Sequence, residues 1–272
     1  MDASACVPLA DRAAIAARLE VDRATHLYEL GDLDDFFFPE CRYFGHPRGD
    51  ATALVYGGSE PPTLLALGRA PTPELVELVR ALAPALPDTV YAHLVPGLAA
   101  ELAGSFAVEP AGLHRRLVLG APVAPDDACV AACERLGPED RARVEAFYRA
   151  SYPGSWFVPR MLETRRYFGL SEAGALVAVA GVHVYAPSRG VAALGNVATR
   201  PDRRGRGLGR VVCVRLLADL APEIDTIGLN VAADNAPALA LYRSLGFEPV
   251  CDYEELWLRR PAPGHSSSMG RG

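Results

Sequence analysis

The stretch RPDRRGRGLGR, Arg200–Arg210, follows an apolar run, ALGNVA. It precedes a segment in which Leu208, Val211, Val212, Leu216, Leu217 and Leu220 fall on one helical face. A strand must therefore turn into a helix through five arginines and three glycines within eleven residues, and no other feature constrains the fold as much. A glycine-rich turn at a helix start leaves the first helical N–H groups open and adds the positive end of the helix dipole. It also lets an anion reach the backbone without meeting a Cβ, and arginines add charge-assisted hydrogen bonds. Such a turn suits a phosphate or diphosphate. A dinucleotide fingerprint GxGxxG needs glycine at position 210, where arginine stands, and a Walker A loop needs lysine, of which the chain has none.

The rest of the composition makes this positive charge local. Residues 1–124 hold 9 Arg against 16 Asp+Glu (−7), and residues 125–272 hold 18 against 17 (+1), for a net charge of −6. An acidic chain without a second basic patch is a poor polyanion binder, so no nucleic-acid partner is expected. The six cysteines form no CxxC pair and no Cys/His cluster with zinc spacing, so no metal is expected; Cys129 and Cys133 read as buried thiols. The N-terminus lacks a signal-peptide core, and the longest apolar run, ALVAVAGVHVYA, is too short to span a bilayer. A soluble cytoplasmic protein without membrane contact is the expectation.

The second half of the chain reads in the order β-α-α-β-β-β-α-β-α-β. CVAACERL is a strand, GPEDRARVEAFYRAS a helix, and SWFVPRMLETRRYFG a second helix running into a strand. GALVAVAGVHVYA and GVAALGNVAT form a hairpin across PSRG. After the helix Leu208–Leu220 come the strand TIGLNV and the helix DNAPALALYRSLGF. That helix has Asp234 or Asn235 as its cap, Pro237 in the first turn and Gly246 as the stop, and the strand VCDYEELWLRR follows it. The first half repeats the later part of this order with ATALVYGG, TLLALG, PTPELVELVRALAPAL, TVYAHLV, GLAAELAGSF and LHRRLVLG, but its strand-to-helix turn is only GRAPTPE. The expected fold class is α/β, a mixed sheet covered by helices, built as two similar domains at 1–124 and 125–260 with a disordered tail at 261–272. Within the first half, HLYELGDLDDFFFPECRYFG reads as core at Phe36, Phe37 and Phe38 and as a solvated turn at Asp32, Asp34 and Asp35, with the lining of an acceptor pocket for a cationic amine as the alternative.

With the motif R-x-x-G-x-G at Arg204–Gly209 and N-x-x-A-x-x-L-Y-x-x-x-G-F from Asn235 to Phe247, residues 128–260 resemble the GNAT superfamily of N-acetyltransferases. The paired layout resembles two-domain GNAT-like proteins in which only the C-terminal copy keeps the cofactor loop. The resemblance implies an N-acetyltransferase with acetyl-CoA as acyl donor and an amine as acceptor. It implies that Arg204, Gly205, Arg206, Gly207, Leu208, Gly209 and Arg210 grip the pyrophosphate. Val197, Ala198 and Thr199 would line the thioester and offer main-chain groups to its carbonyl. Asn235 would reach the cofactor or merely cap its helix. Tyr242 would be the general acid for the departing thiolate, or simply part of the Ala238/Leu241/Leu245 stripe. For the general base, His183, Glu163 and a water chain stay open. A non-catalytic acyl-CoA sensor that keeps the loop is the alternative reading.

Overall fold

The computed structural model describes residues 5–121 and 131–261. Most of the expected boundary at Gly120–Ala128, together with Cys129 and the tail beyond Pro261, lies outside the described residues. Two compact units are present, and the chain interleaves them. The first is made of Met1–Arg18, Glu40–Gly112 and Tyr253–Gly272, the second of Leu19–Pro39 and Leu113–Asp252. This departs from a single cut at residue 124. The reason is strand pairing: each unit completes its sheet with a strand drawn from the other half of the sequence.

In the first unit, β1 (Val7–Leu9), β2 (Cys41–Gly45), β3 (Thr52–Tyr56) and β4 (Thr63–Ala66) run antiparallel to one another in sequence order. The helix α1 (Arg12–Leu19) follows β1, and a short helix, α2 (Leu27–Gly31), belongs to the other unit. A crossover through α3 (Pro73–Leu82) sets β5 (Thr89–Leu94) parallel to β4. Leu75, Leu78, Val79 and Leu82 recur at helical spacing and bury one face of α3 with Leu64, Ala66, Val90 and Ala92 of the sheet. On its other edge, β5 pairs antiparallel with Glu254–Arg259. Those residues end the strand Phe247–Arg259, the last among the described residues.

The second unit repeats this plan. Residues of β6 (Ala107–Leu119) from the first half pair antiparallel with β11 (Thr226–Ala232). Beyond β11 lie β10 (Val191–Thr199), β9 (Ala175–Ala186), β8 (Tyr167–Glu172) and β7 (Glu134–Leu136). Only β10 and β11 run parallel, joined through α5 (Leu208–Leu220), while α4 (Arg141–Ser151) and α6 (Ala236–Ser244) complete the unit. Asn235 caps α6 by accepting from Ala238 N–H at 3.2 Å, and Gly246, at φ +89°, ends the turn that leads into β12 (Phe247–Arg259).

Two local expectations fail here. Within CVAACERL, Ala131 and Ala132 are helical and only Glu134–Leu136 is strand. SWFVPRMLETRRYFG forms no α-helix: Pro159 removes a donor and holds Val158 extended, so Pro159–Thr164 makes one 3-10 turn that ends at Arg165, φ +53°. No helix among the described residues is long and apolar enough to cross a membrane.

Candidate active site

Two parallel strands part beside the glycine/arginine loop. The ladder between β10 and β11 stops at Leu194↔Leu229. Beyond that point β10 follows β9 as far as Thr199↔Ala178, while β11 follows β6 as far as Ala232↔His114. Gly195–Thr199 therefore form one wall of an opening whose other wall is Asn230–Ala232. Val197, Ala198 and Thr199 all lie on this wall, with Ala198 buried and the other two half-buried.

The loop closes the wedge at its end. Gly205 and Gly207 hold φ +74° and +76°, and a Cβ built at either meets nothing within 4 Å, so the backbone there is open to a ligand. Gly207 is the N-cap of α5, and the first α-helical bond of that helix runs from Val211 N–H to its carbonyl at 3.2 Å. The amides of Leu208, Gly209 and Arg210 thus lack intrahelical acceptors. The arginines divide by task. Arg204 braces the loop by donating to the carbonyls of Thr199 (3.2 Å) and Ser151 (3.4 Å), and Arg210 donates to Ser244 O at 3.1 Å. Arg200 and Arg203 pair with Asp202, and Arg203 also with Glu172. Arg206 is exposed and, among the described residues, has no hydrogen bond or ion pair. The first unit shows what this loop requires by lacking it. There Thr72 Oγ1 accepts from Leu75 N–H at 3.2 Å, and Pro73 supplies no N–H at all. Its helix start is already satisfied.

Where β10 leaves β11 the sheet carries two bulges. His183 is the extra residue of β9 between the pairs Ala193↔Val184 and Leu194↔Val182. On β10 the register shifts between Gly195 and Ala198, and Asn196 within that shift takes φ +54°. Side chains hold this left-handed residue in place. Tyr148 Oη donates to Asn196 O at 2.6 Å, Asn196 Nδ2 donates to Tyr167 Oη at 3.0 Å, and Tyr167 Oη donates to Val182 O at 3.0 Å. Gly181 and Gly195 face each other across the ladder. A Cβ on Gly181 would fall 2.1 Å from the Tyr167 ring, and one on Gly195 would fall 2.2 Å from the ring of His183.

Tyr242, on α6, is buried with its ring edge-on to Phe247. Burial, and then the neighbouring Cys213, Tyr28 and Tyr152, push its ionisation far above the ordinary phenol range, so the hydroxyl keeps its proton at neutral pH. That hydroxyl has no hydrogen-bond partner among the described residues. Asn235 is exposed and caps α6. Glu163 is exposed on the 3-10 turn Pro159–Thr164.

The segment Leu19–Pro39 corrects another expectation. Phe36, Phe37 and Phe38 are half-buried rather than core, and Arg160 lies over the Phe36 ring at 3.5 Å. The short helix α2 packs on β9 and β10, with Gly31 pressed against Val184. It brings Glu29 to the buried Arg116 at 3.4 Å, and Arg116 Nε donates to Asn230 Oδ1 at 3.0 Å beside the wedge. Burial opposes the Glu29 charge, but the hydrogen bond and charge of His26 and the charge of Arg116 outweigh it and hold the pKa below the ordinary value. Asp32 is not solvated: burial first, then the Glu29 charge, push its pKa up to about 8 despite Arg116. Nothing in GDLDD signals this environment, because Arg116 and Asn230 come from strands far along the chain.

Residues 129–247, which hold this wedge, loop and helix N-terminus, match the family described as Acetyltransferase (GNAT) family. The mixed α/β architecture, with two similar units, is that of tandem GNAT folds. A tandem GNAT protein from the clavulanic acid biosynthesis pathway superposes with a TM-score of 0.53 at 19% identity, covering 95% of this chain and 99% of that one. A GCN5-related N-acetyltransferase from Sphaerobacter thermophilus superposes with a TM-score of 0.60 at 15% identity, covering 95% and 97%. At these identities the likeness is one of fold. In sequence, the chain is 47% identical over 83 residues to a [Ribosomal protein bS18]-alanine N-acetyltransferase of Salmonella typhimurium, covering 29% of this chain and 52% of the relative. It is 32% identical over 151 residues to a mycothiol acetyltransferase of Tsukamurella paurometabola, covering 47% and 50%. The chain thus spans about half the length of these curated relatives.

Proposed function

We propose that this protein is an N-acetyltransferase that moves an acetyl or other short acyl group from acyl-CoA to an amine. The parting of β10 from β11 directly above a glycine-capped helix start carries the reading. In it, the open amides of Leu208, Gly209 and Arg210, the ligand-accessible backbone of Gly205 and Gly207, and Arg206 hold the coenzyme pyrophosphate. Arg204 shapes the loop. Val197–Thr199 present main-chain groups along the unpaired edge of β10, where they meet the thioester carbonyl. Acetyl-CoA supplies the activated acyl group; the chain's part is to grip, orient and manage protons. Tyr242 holds a proton on a hydroxyl free of competing hydrogen bonds among the described residues and gives it to the leaving thiolate. Asn235 serves α6 as its cap.

The acceptor is a primary amine, small or at a protein N-terminus; the two sequence relatives named above support both forms. The reading also places the protein in the cytoplasm, where acetyl-CoA is at hand.

Thermal unfolding with acetyl-CoA, CoA, NAD and ATP tests the cradle. A ligand at 100 times its Kd adds about 2.7 kcal/mol, and only the two coenzyme A species should shift the transition. Release of free thiol from acetyl-CoA in the presence of primary amines then separates an enzyme from a sensor, which would bind and release nothing.

A further inference from the structure

One polar atom beside the wedge has no counterpart. Tyr148, Tyr167, Asn196 and the carbonyl of Val182 are joined by hydrogen bonds around the two bulges. In the middle of this satisfied network, His183 Nε2 is buried and has no hydrogen-bond partner among the described residues. Buried polar atoms in folded proteins nearly always find a partner, and an orphan calls for an explanation. The bulge turns His183 out of the alternation that its neighbours on β9 obey, and the missing Cβ of Gly195 lets the ring lie flat on β10. Nε2 itself would stand 2.7 Å from a Cβ on Gly195, the residue just past the last β10–β11 pair. The orphan nitrogen therefore lies against β10 at Gly195, where that strand leaves β11.

Building on the acetyl-transfer reading, we propose that His183 is the general base for the acceptor amine. The amine nitrogen attacks the thioester carbonyl and the C–N bond forms. His183 Nε2 takes the proton that the nitrogen must lose, the C–S bond breaks, and Tyr242 gives its proton to the departing sulfur. Proton balance is restored when both side chains exchange with water.

The surroundings suit a neutral imidazole. Burial lowers the His183 pKa below 6.5; a hydrogen-bonding interaction with the Asn196 side chain, too poorly aligned to satisfy Nε2, acts in the other direction. The elements packed against β9 bring Tyr167 and Glu172 on β8, Glu145 and Tyr148 on α4, Tyr28 and Glu29 on α2 with Asp32 at its end, Cys213 and Asp219 on α5, and Glu163 on the 3-10 turn. None of them acts on the imidazole. Glu163, the other candidate base, is exposed.

Two measurements test the assignment. Thiol release from acetyl-CoA is followed with water and with hydroxylamine as the probe nucleophiles, for wild type, His183→Gln and His183→Ala, alongside the thermal shift each protein shows with acetyl-CoA. The expectation is an unchanged shift and a loss of about 10²-fold or more in thiol release. The acid limb of the wild-type pH profile should vanish in His183→Gln, and free imidazole should restore part of the rate to His183→Ala. Independently, the His183 Cε1 proton in wild type, followed by NMR, should titrate below 6.5 and at the midpoint of that acid limb. His183→Gln with the wild-type rate and acid limb overturns the proposal, and so does a His183 that titrates above 6.5. A wild-type protein that binds acetyl-CoA yet releases no thiol overturns it as well. A wild-type protein with no acetyl-CoA shift sinks the acetyl-transfer reading itself, a result separable from the other three.

Discussion

At the scale of single residues, the site is a set of groups whose hydrogen-bond status decides their use. Gly207 holds φ +76° at the helix start. An L residue there costs about 1–2 kcal/mol and puts a Cβ where an anion would approach. Gly207→Ala should therefore lower the unfolding temperature slightly and abolish most of the acetyl-CoA-induced shift, read in one titration. Tyr242→Phe keeps the ring and removes the proton. Acetyl-CoA binding should persist while turnover falls by about 10²–10⁴-fold, as steady-state kinetics would show. Asp32 gives a pH test. Its folded pKa of about 8 lies above its ordinary 3.8, so its stabilising contribution is complete below 3.8 and is lost as pH rises through about 8. Asp32→Asn should flatten the fall in unfolding temperature between pH 5 and 9; an unchanged slope would refute the buried carboxyl. The residues of the loop and Tyr242 stand out in the sequence because they lie in two contiguous motifs. The Arg116–Glu29–Asn230 cluster does not: its members are distant in sequence, and a glutamate in HLYEL carries no mark of the arginine it will meet.

At the scale of elements, β10 does two jobs with one strand. Val191–Leu194 is ordinary parallel ladder, and Gly195–Thr199 is the open edge. The switch rests on Asn196, left-handed and held by Tyr148 and Tyr167. Tyr148→Phe leaves the Asn196 carbonyl buried without that donor, at a cost of about 1–3 kcal/mol. Chemical denaturation should report this loss together with reduced turnover, since the wall formed by Gly195–Thr199 shifts with the bulge. The alternation of GVAALGNVAT announces a strand but not its bulge, because a register shift is a property of two strands and the sequence shows one at a time. Helices with clear caps, such as Leu208–Leu220 and Ala236–Ser244, were readable to within a residue or two. SWFVPRMLETRRYFG was not, since its apolar spacing suits a helix and Pro159 overrides it.

At the scale of the whole molecule, the repeat was legible and the exchange between its copies was not. Strand propensity is the same whichever sheet a strand joins, so LHRRLVLG and VCDYEELWLRR gave no sign of their partners. The structure gives β11 the strand His114–Val118 and gives β5 the strand Glu254–Arg259. A fragment of residues 125–260 would lose both Leu19–Pro39 and the strand beside β11, exposing an unpaired edge. Expressed alone it should aggregate or fail to unfold cooperatively, whereas co-expression with residues 1–124 should rescue it; a monomeric, cooperative fragment would show that the exchange is dispensable. The same arrangement sets a timetable for synthesis. As the chain leaves the ribosome, Leu94 emerges first, and its neighbour Glu254 follows only after β6 to β11 have been made. The amino-terminal half cannot finish first and wait, as domains in series commonly do. Its sheet stays open until Glu254–Arg259 is translated, and the two halves reach their final form in the same step.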